Sequence, residues 1–175
     1  MVARRRKRLG QAVGRIRKPE TARPTQIDSS ELDEYVGYAL RKAQVAFFGS
    51  FIHAMRDLEV RPAEFAALVV INANHGLTQS ALAATLGIDR SAGVIMLDRL
   101  EGMGLAQRVP SPTDRRSYSL VLSKAGKDLL AVLIDRAKRQ EDLILAEFSD
   151  LERKTLLTQL RKLSEKAAIK ATEED

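Results

Sequence analysis

The stretch that decides the fold spans residues 78–126 and reads TQSALAATLGIDRSAGVIMLDRLEGMGLAQRVPSPTDRRSYSLVLSKAG. Thr78 is placed to cap a helix through Leu86, Gly87 supplies a left-handed residue to end it, and Asp89 is placed to cap the next. Helix, short glycine-containing turn and second helix is the spacing of a helix-turn-helix. The second helix is expected to run to about Met103 and to close at Gly104. Beyond it, residues 105–109 and 117–122 read as two short strands, with Tyr118, Leu120 and Leu122 alternating against Ser117, Ser119 and Val121. Pro110, Ser111, Pro112, Thr113 and Asp114 make a turn-rich tip between them, so the pair reads as a wing.

Working outward, residues 32–58 place Val36, Leu40, Ala43, Phe47, Phe51 and Leu58 on one stripe, which predicts one long helix. Ser30, followed three residues later by Asp33, resembles an N-cap with an acidic first turn. Pro62 fits a first helical position, and Phe65, Leu68, Val69 and Ile71 predict a short buried helix ending near Gly76. After Ser123 a long helix is expected to carry Leu129, Leu130, Leu133, Ile134, Ala137, Ile144 and Phe148, and a last one Leu156, Leu160, Leu163 and Ala167. These apolar stripes need a partner surface, within the chain or across a two-fold axis, and a dimer is favoured. The predicted fold is mainly α with a small β-wing. A winged helix-turn-helix at about 62–122 is flanked by long N- and C-terminal dimerisation helices at about 30–58 and 123–170. Together these form a domain over 29–175, after a basic flexible arm over 1–28.

The chain has 175 residues and a net charge of +6. Residues 1–27 hold Arg4, Arg5, Arg6, Lys7, Arg8, Arg15, Arg17, Lys18 and Arg23 against Glu20 alone, a balance of +8 that leaves −2 for the rest. Such an arm suits a polyanionic partner, since Lys and Arg that neutralise phosphates release counterions; a solvated leader that contacts nothing specifically is the alternative. The longest apolar run, from Phe65 to Ile71, falls far short of the ~20 residues that span a bilayer, and no secretory signal is supported, so a soluble cytoplasmic, nucleoid-associated protein is expected. The absence of cysteine excludes disulfides and thiol chemistry. His53 and His75 belong to no short-spaced ligand cluster, and no metal or other cofactor is expected. No nucleophile and base constellation and no phosphate-cradling glycine loop is present, so an enzyme is the least favoured class.

With TQ-x-x-LA at the first helix, DRLE-x-x-GL closing the second, Asp114-Arg115-Arg116 in the wing and L-S-x-x-G entering the next helix, residues 78–126 closely resemble the MarR family of bacterial regulators. Helix order extends the likeness over about residues 31–170, the basic arm excepted. The resemblance implies a triangular homodimer whose terminal helices interlock. Two winged modules would then enter successive major grooves of a pseudo-palindromic operator, with half-sites about 10 base pairs, roughly 34 Å, apart. It also implies repression relieved by a small anionic or phenolic molecule, in some members a coenzyme A thioester.

The expected DNA-binding set is Thr78, Gln79, Arg90, Ser91, Val94, Ile95, Arg99, Arg108, Asp114, Arg115 and Arg116. On the second helix the spacing of Gly93, Met96, Leu97 and Leu100 marks the buried face, leaving Arg90, Ser91, Val94, Ile95 and Asp98 outward. Family members frequently carry polar or basic residues where Val94 and Ile95 stand here. An exposed Val or Ile suits thymine methyl groups in the major groove; a register one residue away would instead make one of the pair core. By resemblance, Arg116 suits minor-groove insertion with Asp114 fixing the wing, and Arg115 stands beside it. Arg99 and Arg108 are expected to support phosphate contacts.

The resemblance puts an effector between the dimerisation helices and the winged module. Phe47, Phe51, Met55 and Phe65 are candidate lining residues, with Arg41 or Arg56 to offset an acidic group, although an aromatic stripe at helical spacing equally suits a core. The N-terminal arginines offer phosphate partners to a coenzyme A thioester. The expected partners are therefore an operator duplex, a second copy of the chain, and a small-molecule effector such as an aromatic acid or its acyl-CoA. A nonspecific or architectural nucleic-acid binder driven by the basic arm is the competing reading.

Overall fold

The computed structural model describes residues 30–110 and 118–173, with side chains through Ile169. The basic arm, the wing tip and with it Asp114, Arg115 and Arg116 lie outside the described residues. The chain divides into two units, before and after the Ala39–Leu40 boundary. In the first, a 3₁₀ turn covers Ser30–Glu34, and helix α1 (Val36–Ala54) begins, its first turn held by Ala39 N–H donating to Tyr35 O at 3.0 Å.

The second unit contains the remainder of α1, then α2 (Pro62–Ala73), α3 (Gln79–Leu86), α4 (Arg90–Gly102), strands β1 (Ala106–Pro110) and β2 (Tyr118–Leu122), α5 (Lys124–Ile144) and α6 (Asp150–Glu173). The expected helix over 32–58 is shorter at both ends. At the far end the chain tightens, with Leu58 N–H donating to Met55 O at 2.9 Å and Glu59 at a positive φ of 52°. Pro62 then requires an extended residue before it, and Arg61 has ψ of 159°. The turn buries Met55 and Val60 instead of continuing the helix.

Local chemistry starts and stops α3 as expected, while the cap expected from Asp89 on α4 is not made. The Thr78 hydroxyl accepts from Ala81 N–H at 3.2 Å, and Gly87 ends α3 with φ of 63°. Asp89 occupies the cap position of α4 without a side-chain capping bond. The buried face of α4 is Gly93, Met96, Leu97 and Leu100, as its spacing predicts. Gly93 is there for closeness: a Cβ on it would come 3.2 Å from Ala83 Cβ, so α3 and α4 approach more tightly than a larger residue allows.

β1 and β2 pair antiparallel with Arg108 opposite Leu120 and Ala106 opposite Leu122. The expected alternation in β2 is incomplete: Leu120 and Leu122 are buried, but so is Ser119, and Tyr118 is exposed. Leu120 N–H donates to Leu77 O at 2.8 Å, which stitches the wing to the entrance of α3. Ser123 caps α5, accepting from Gly126 N–H at 2.9 Å and donating to Gly104 O at 2.6 Å. Gly126 admits no side chain, because a Cβ would fall 1.9 Å from Leu105 O.

The core joins Phe51 of α1 and Met55 of the turn after it to Leu68, Leu82, Leu97, Leu100, Leu105, Leu120 and Leu133. Val69, expected inside, is exposed because the buried face of α2 is Glu64, Ala67, Leu68 and Ile71. The stripes expected to need a partner surface are largely uncovered: Leu40, Ile134, Ile144, Phe148, Leu156, Leu160 and Leu163 are exposed, and no α6 residue through Ile169 is buried. Among the described residues no single helix is long and apolar enough to cross a membrane.

Candidate nucleic-acid interface and effector cavities

The outer face of α4 presents Arg90, Ser91, Val94, Ile95 and Asp98. Ile95 is 71% exposed and Val94 38%, so neither of the pair is a core residue. An unpaired isoleucine on a helix whose opposite face is fully packed provides apolar surface to whatever the helix meets.

Arg108 of β1 ties this helix to its neighbours. Its Nη2 lies 2.9 Å from Asp98 Oδ1, Nη1 bonds Glu101 Oε2, Nε and Nη2 both donate to Gln79 Oε1, and its own N–H donates to Glu101 Oε1 at 2.8 Å. One guanidinium therefore holds the wing, α4 and the start of α3 in one arrangement and offsets two carboxylates of α4. Thr78 and Gln79, both half-buried, border a cleft of about 330 Å³ with Arg108 and Tyr118.

Arg99 points the other way. Its Nε donates to the buried Glu64 at 2.7 Å and Nη2 to Glu59 O at 2.9 Å. Glu64 also accepts from Arg61 N–H at 2.9 Å, so this carboxylate caps α2 and anchors α4 at once. Arg99 and Arg108, expected as phosphate contacts, thus both carry internal partners, and the other polar groups of the outer face, Arg90 and Ser91, are exposed.

The expected effector residues are dispersed. Phe51 and Met55 are core, and the Phe65 ring packs 5.4 Å from that of Phe51, so these three fill space between helices rather than line a cavity. Arg41 and Arg56 are exposed. Phe47 borders an apolar groove of about 660 Å³ with Leu40, Ala43, Phe48, Leu156 and Leu160. A second cavity of about 430 Å³ lies between the end of α1 and α5, bordered by Ser50, His53, Arg136, Arg139 and Gln140. Sequence reasoning missed it, although one signal was present: Gln140 continues the spacing of Gly126, Leu130 and Leu133 on the buried face of α5.

Arg136 is fixed at this second cavity by Asp57, with Nη2 2.9 Å from Oδ2, and it also donates to Ala54 O. The pairing holds the Asp57 carboxyl below its ordinary range, through the hydrogen bond from Arg136 first and then the Asp57 backbone, and raises Arg136 in turn. At the start of α6, the Ser149 hydroxyl and N–H donate to Glu152 at 2.7 and 2.8 Å and lower its carboxyl likewise. Among the described residues no group of three or more His, Asp or Glu is placed to hold a metal ion.

Residues 58–117 match the model of the MarR family. A protein of Thauera aromatica, assigned to its hcr operon as a transcriptional regulatory protein, is 37% identical over 147 residues, covering 83% of this chain and 89% of the relative. Among solved structures, the transcriptional repressor CouR bound to a 23-mer DNA duplex superposes with a TM-score of 0.74 at 39% identity, covering 80% of this chain and 99% of that one. CouR bound to p-coumaroyl-CoA gives 0.73 at 36% identity, with coverage of 79% and 98%. A packed helix-turn-helix with a two-stranded wing and a relative alike over most of its length carry the same conclusion: the chain belongs to the MarR family of winged helix-turn-helix proteins, which are transcription regulators and not enzymes.

Proposed function

We propose that this regulator is a sequence-specific repressor acting as a homodimer on a pseudo-palindromic operator in the cytoplasm, and that an aromatic acid or its coenzyme A thioester releases it. The observation that carries the DNA reading is the outer face of α4, where Ile95 and Val94 stand exposed beside Arg90 and Ser91. Polar groups there suit base edges and phosphates, and the two apolar residues suit thymine methyls. Thr78 and Gln79 stand beside them at the start of α3. Arg108 acts in this reading mainly by holding the wing against α4, and Arg99 by anchoring α4 to α2.

The uncovered apolar residues of α5 and α6 support a second copy as the covering partner. A dimer that interlocks these helices removes Leu156, Leu160 and Phe148 from water and sets two α4 helices about one duplex turn apart. The effector class is carried over from CouR, which has been solved with p-coumaroyl-CoA.

The test is selection of a binding site from a random duplex library, followed by fluorescence anisotropy at physiological salt against a scrambled duplex of the same composition. A two-fold symmetric selected site, bound by two chains and preferred at least a thousandfold, is expected. Equal affinity for both duplexes would replace this reading with nonspecific binding driven by the basic residues at the N-terminus.

A further inference from the structure

We propose that the turn between α1 and α2 is a strap that fixes α4 relative to α5, and that Arg136 and Asp57 thereby set the half-site spacing the dimer accepts; this rests on the homodimeric DNA-binding reading above. Two arginines from different helices grip this turn. From α5, both Nη groups of Arg136 bond the carboxylate of Asp57, Nη2 at 2.9 Å from Oδ2, and Nη1 also donates to Ala54 O. From α4, Arg99 Nη2 donates to Glu59 O at 2.9 Å. Its Nε holds one oxygen of Glu64, and the other accepts from Arg61 N–H where the turn enters α2. The two grips therefore fall on Asp57 and Glu59, with one residue between them.

The chain between the grips is stiff. Met55 and Val60 are buried, Leu58 packs partly against the core, and Leu58 N–H closes the turn on Met55 O at 2.9 Å. Among the described residues, Glu59 alone outside glycine has a positive φ, 52°. That backbone region costs a residue with a Cβ and is open to glycine, which would also let the chain swing between the two arginines. The Glu59 side chain is exposed, and the group that Arg99 holds is its carbonyl. What the position contributes is a fixed direction for that carbonyl, and strained backbone of this kind gathers where geometry is used.

Stability alone gives the outer grip little purpose. The side chains of Arg136 and Asp57 are 31% and 57% exposed, and pairs so exposed add little to folding. A bidentate pair does add direction. On α5, Ile134 is exposed among the apolar residues that the proposed dimer covers, and on α4 stand the exposed residues of the proposed base-reading face. Two copies of α4 must arrive about 34 Å apart to enter successive major grooves, so each must be held at a set angle to the helix that joins the copies. Arg136, Asp57, Glu59 and Arg99 supply that tie in series.

The experiment uses the full chain and the duplex selected above, with versions in which one base pair is inserted or removed between the half-sites. Anisotropy at physiological salt gives the preference for the selected spacing, and thermal denaturation gives Tm. The wild type is expected to prefer the selected spacing about a hundredfold or more, since a shifted half-site loses several base contacts at once. Arg136→Ala and Asp57→Ala should each cut that preference about tenfold, the scale of one charge-assisted bond lost. Their Tm should fall by no more than about 2–4 °C. The two variants change net charge in opposite directions, and the readout is a ratio on one protein, so charge does not mimic the effect. The double variant should lose no more than either single one, because both break the same tie. Glu59→Gly keeps both grips and slackens the chain between them; it should also lower the spacing preference, with a Tm close to that of the wild type.

Wild-type spacing preference in Arg136→Ala and Asp57→Ala would overturn the strap while leaving the dimeric DNA reading intact. A loss in one of the two but not the other, or losses that multiply in the double variant, would also overturn it, because the residues then act separately. Unchanged preference in Glu59→Gly would remove the stiff turn from the account and the series tie with it. A wild type indifferent to spacing would overturn the reading of two half-sites held by a homodimer, and the strap with it.

Discussion

Arg108 and Asp98 meet at 2.9 Å, joining the first strand of the wing to the outer edge of α4. The same guanidinium also engages Glu101 and Gln79, so the wing, α4 and the start of α3, the three elements of the proposed DNA-binding face, are aligned by one side chain.

Arg108→Ala releases Asp98 and Glu101 as uncompensated carboxylates on α4, where a phosphate backbone is expected. DNA affinity is expected to fall at least tenfold. Stability should fall by only about 1 kcal/mol, since these pairs are partly exposed. Arg108→Lys should not restore affinity, because one ammonium lacks the planar fork that reaches three acceptors. Anisotropy on a selected duplex and urea unfolding of the same samples separate the two effects.

Arg99→Ala leaves the buried carboxylate of Glu64 with the Arg61 N–H as its remaining partner. A loss of about 1–3 kcal/mol in unfolding free energy is expected, the scale for a buried group deprived of a partner. Denaturant titration checks it, and a change below about 0.5 kcal/mol would remove Glu64–Arg99 as the anchor between α2 and α4.

Gly126→Ala places a methyl group where Leu105 O already lies, 1.9 Å from the ideal Cβ position. The start of α5 must then shift away from the wing, and a loss of about 3 kcal/mol is expected, the upper end for overpacking. Gly93→Ala meets only Ala83 Cβ at 3.2 Å and gains helix propensity of about 1 kcal/mol, so its net effect should be much smaller. Melting curves of the two variants give the comparison.

Asp57 titrates below its ordinary value in the folded chain because Arg136 hydrogen-bonds its carboxylate. A depressed folded pKa means the pair contributes above the unfolded Asp value and loses that contribution as pH falls through the folded one. Asp57→Asn is therefore expected to be less stable than the wild type at pH 7 and to converge with it in strong acid. Unfolding measured from pH 7 to pH 2 follows the difference, and a constant gap across that range would contradict the pairing.

The helix-turn-helix was legible because its determinants are local. Thr78 and Gly87 act within four residues of themselves, as does Ser123 in capping α5, and the buried face of α4 follows from spacing alone. Long-range partners were not legible. Nothing near Arg108 or Arg99 in sequence announces Gln79 or Glu64, so both arginines read as free cations for phosphate. The expected effector residues meet a related limit: helical spacing puts Phe51, Met55 and Phe65 on a buried stripe without distinguishing packed core from cavity wall. Gln140 carried the opposite signal, a polar residue on an apolar stripe, whose meaning depends on the α1 residues packed across from it.

The central claim is that the outer face of α4 reads bases, and uracil substitution tests it most directly. Each thymine of a selected duplex is replaced in turn by uracil, which removes one methyl group and nothing else, and anisotropy is measured for the wild type and Ile95→Ala. One symmetric pair of thymines should show a loss of about fourfold per half-site, the scale of one buried methyl, and that loss should vanish in Ile95→Ala. Unchanged affinity at every thymine, together with wild-type binding by Ile95→Ala, would contradict the account.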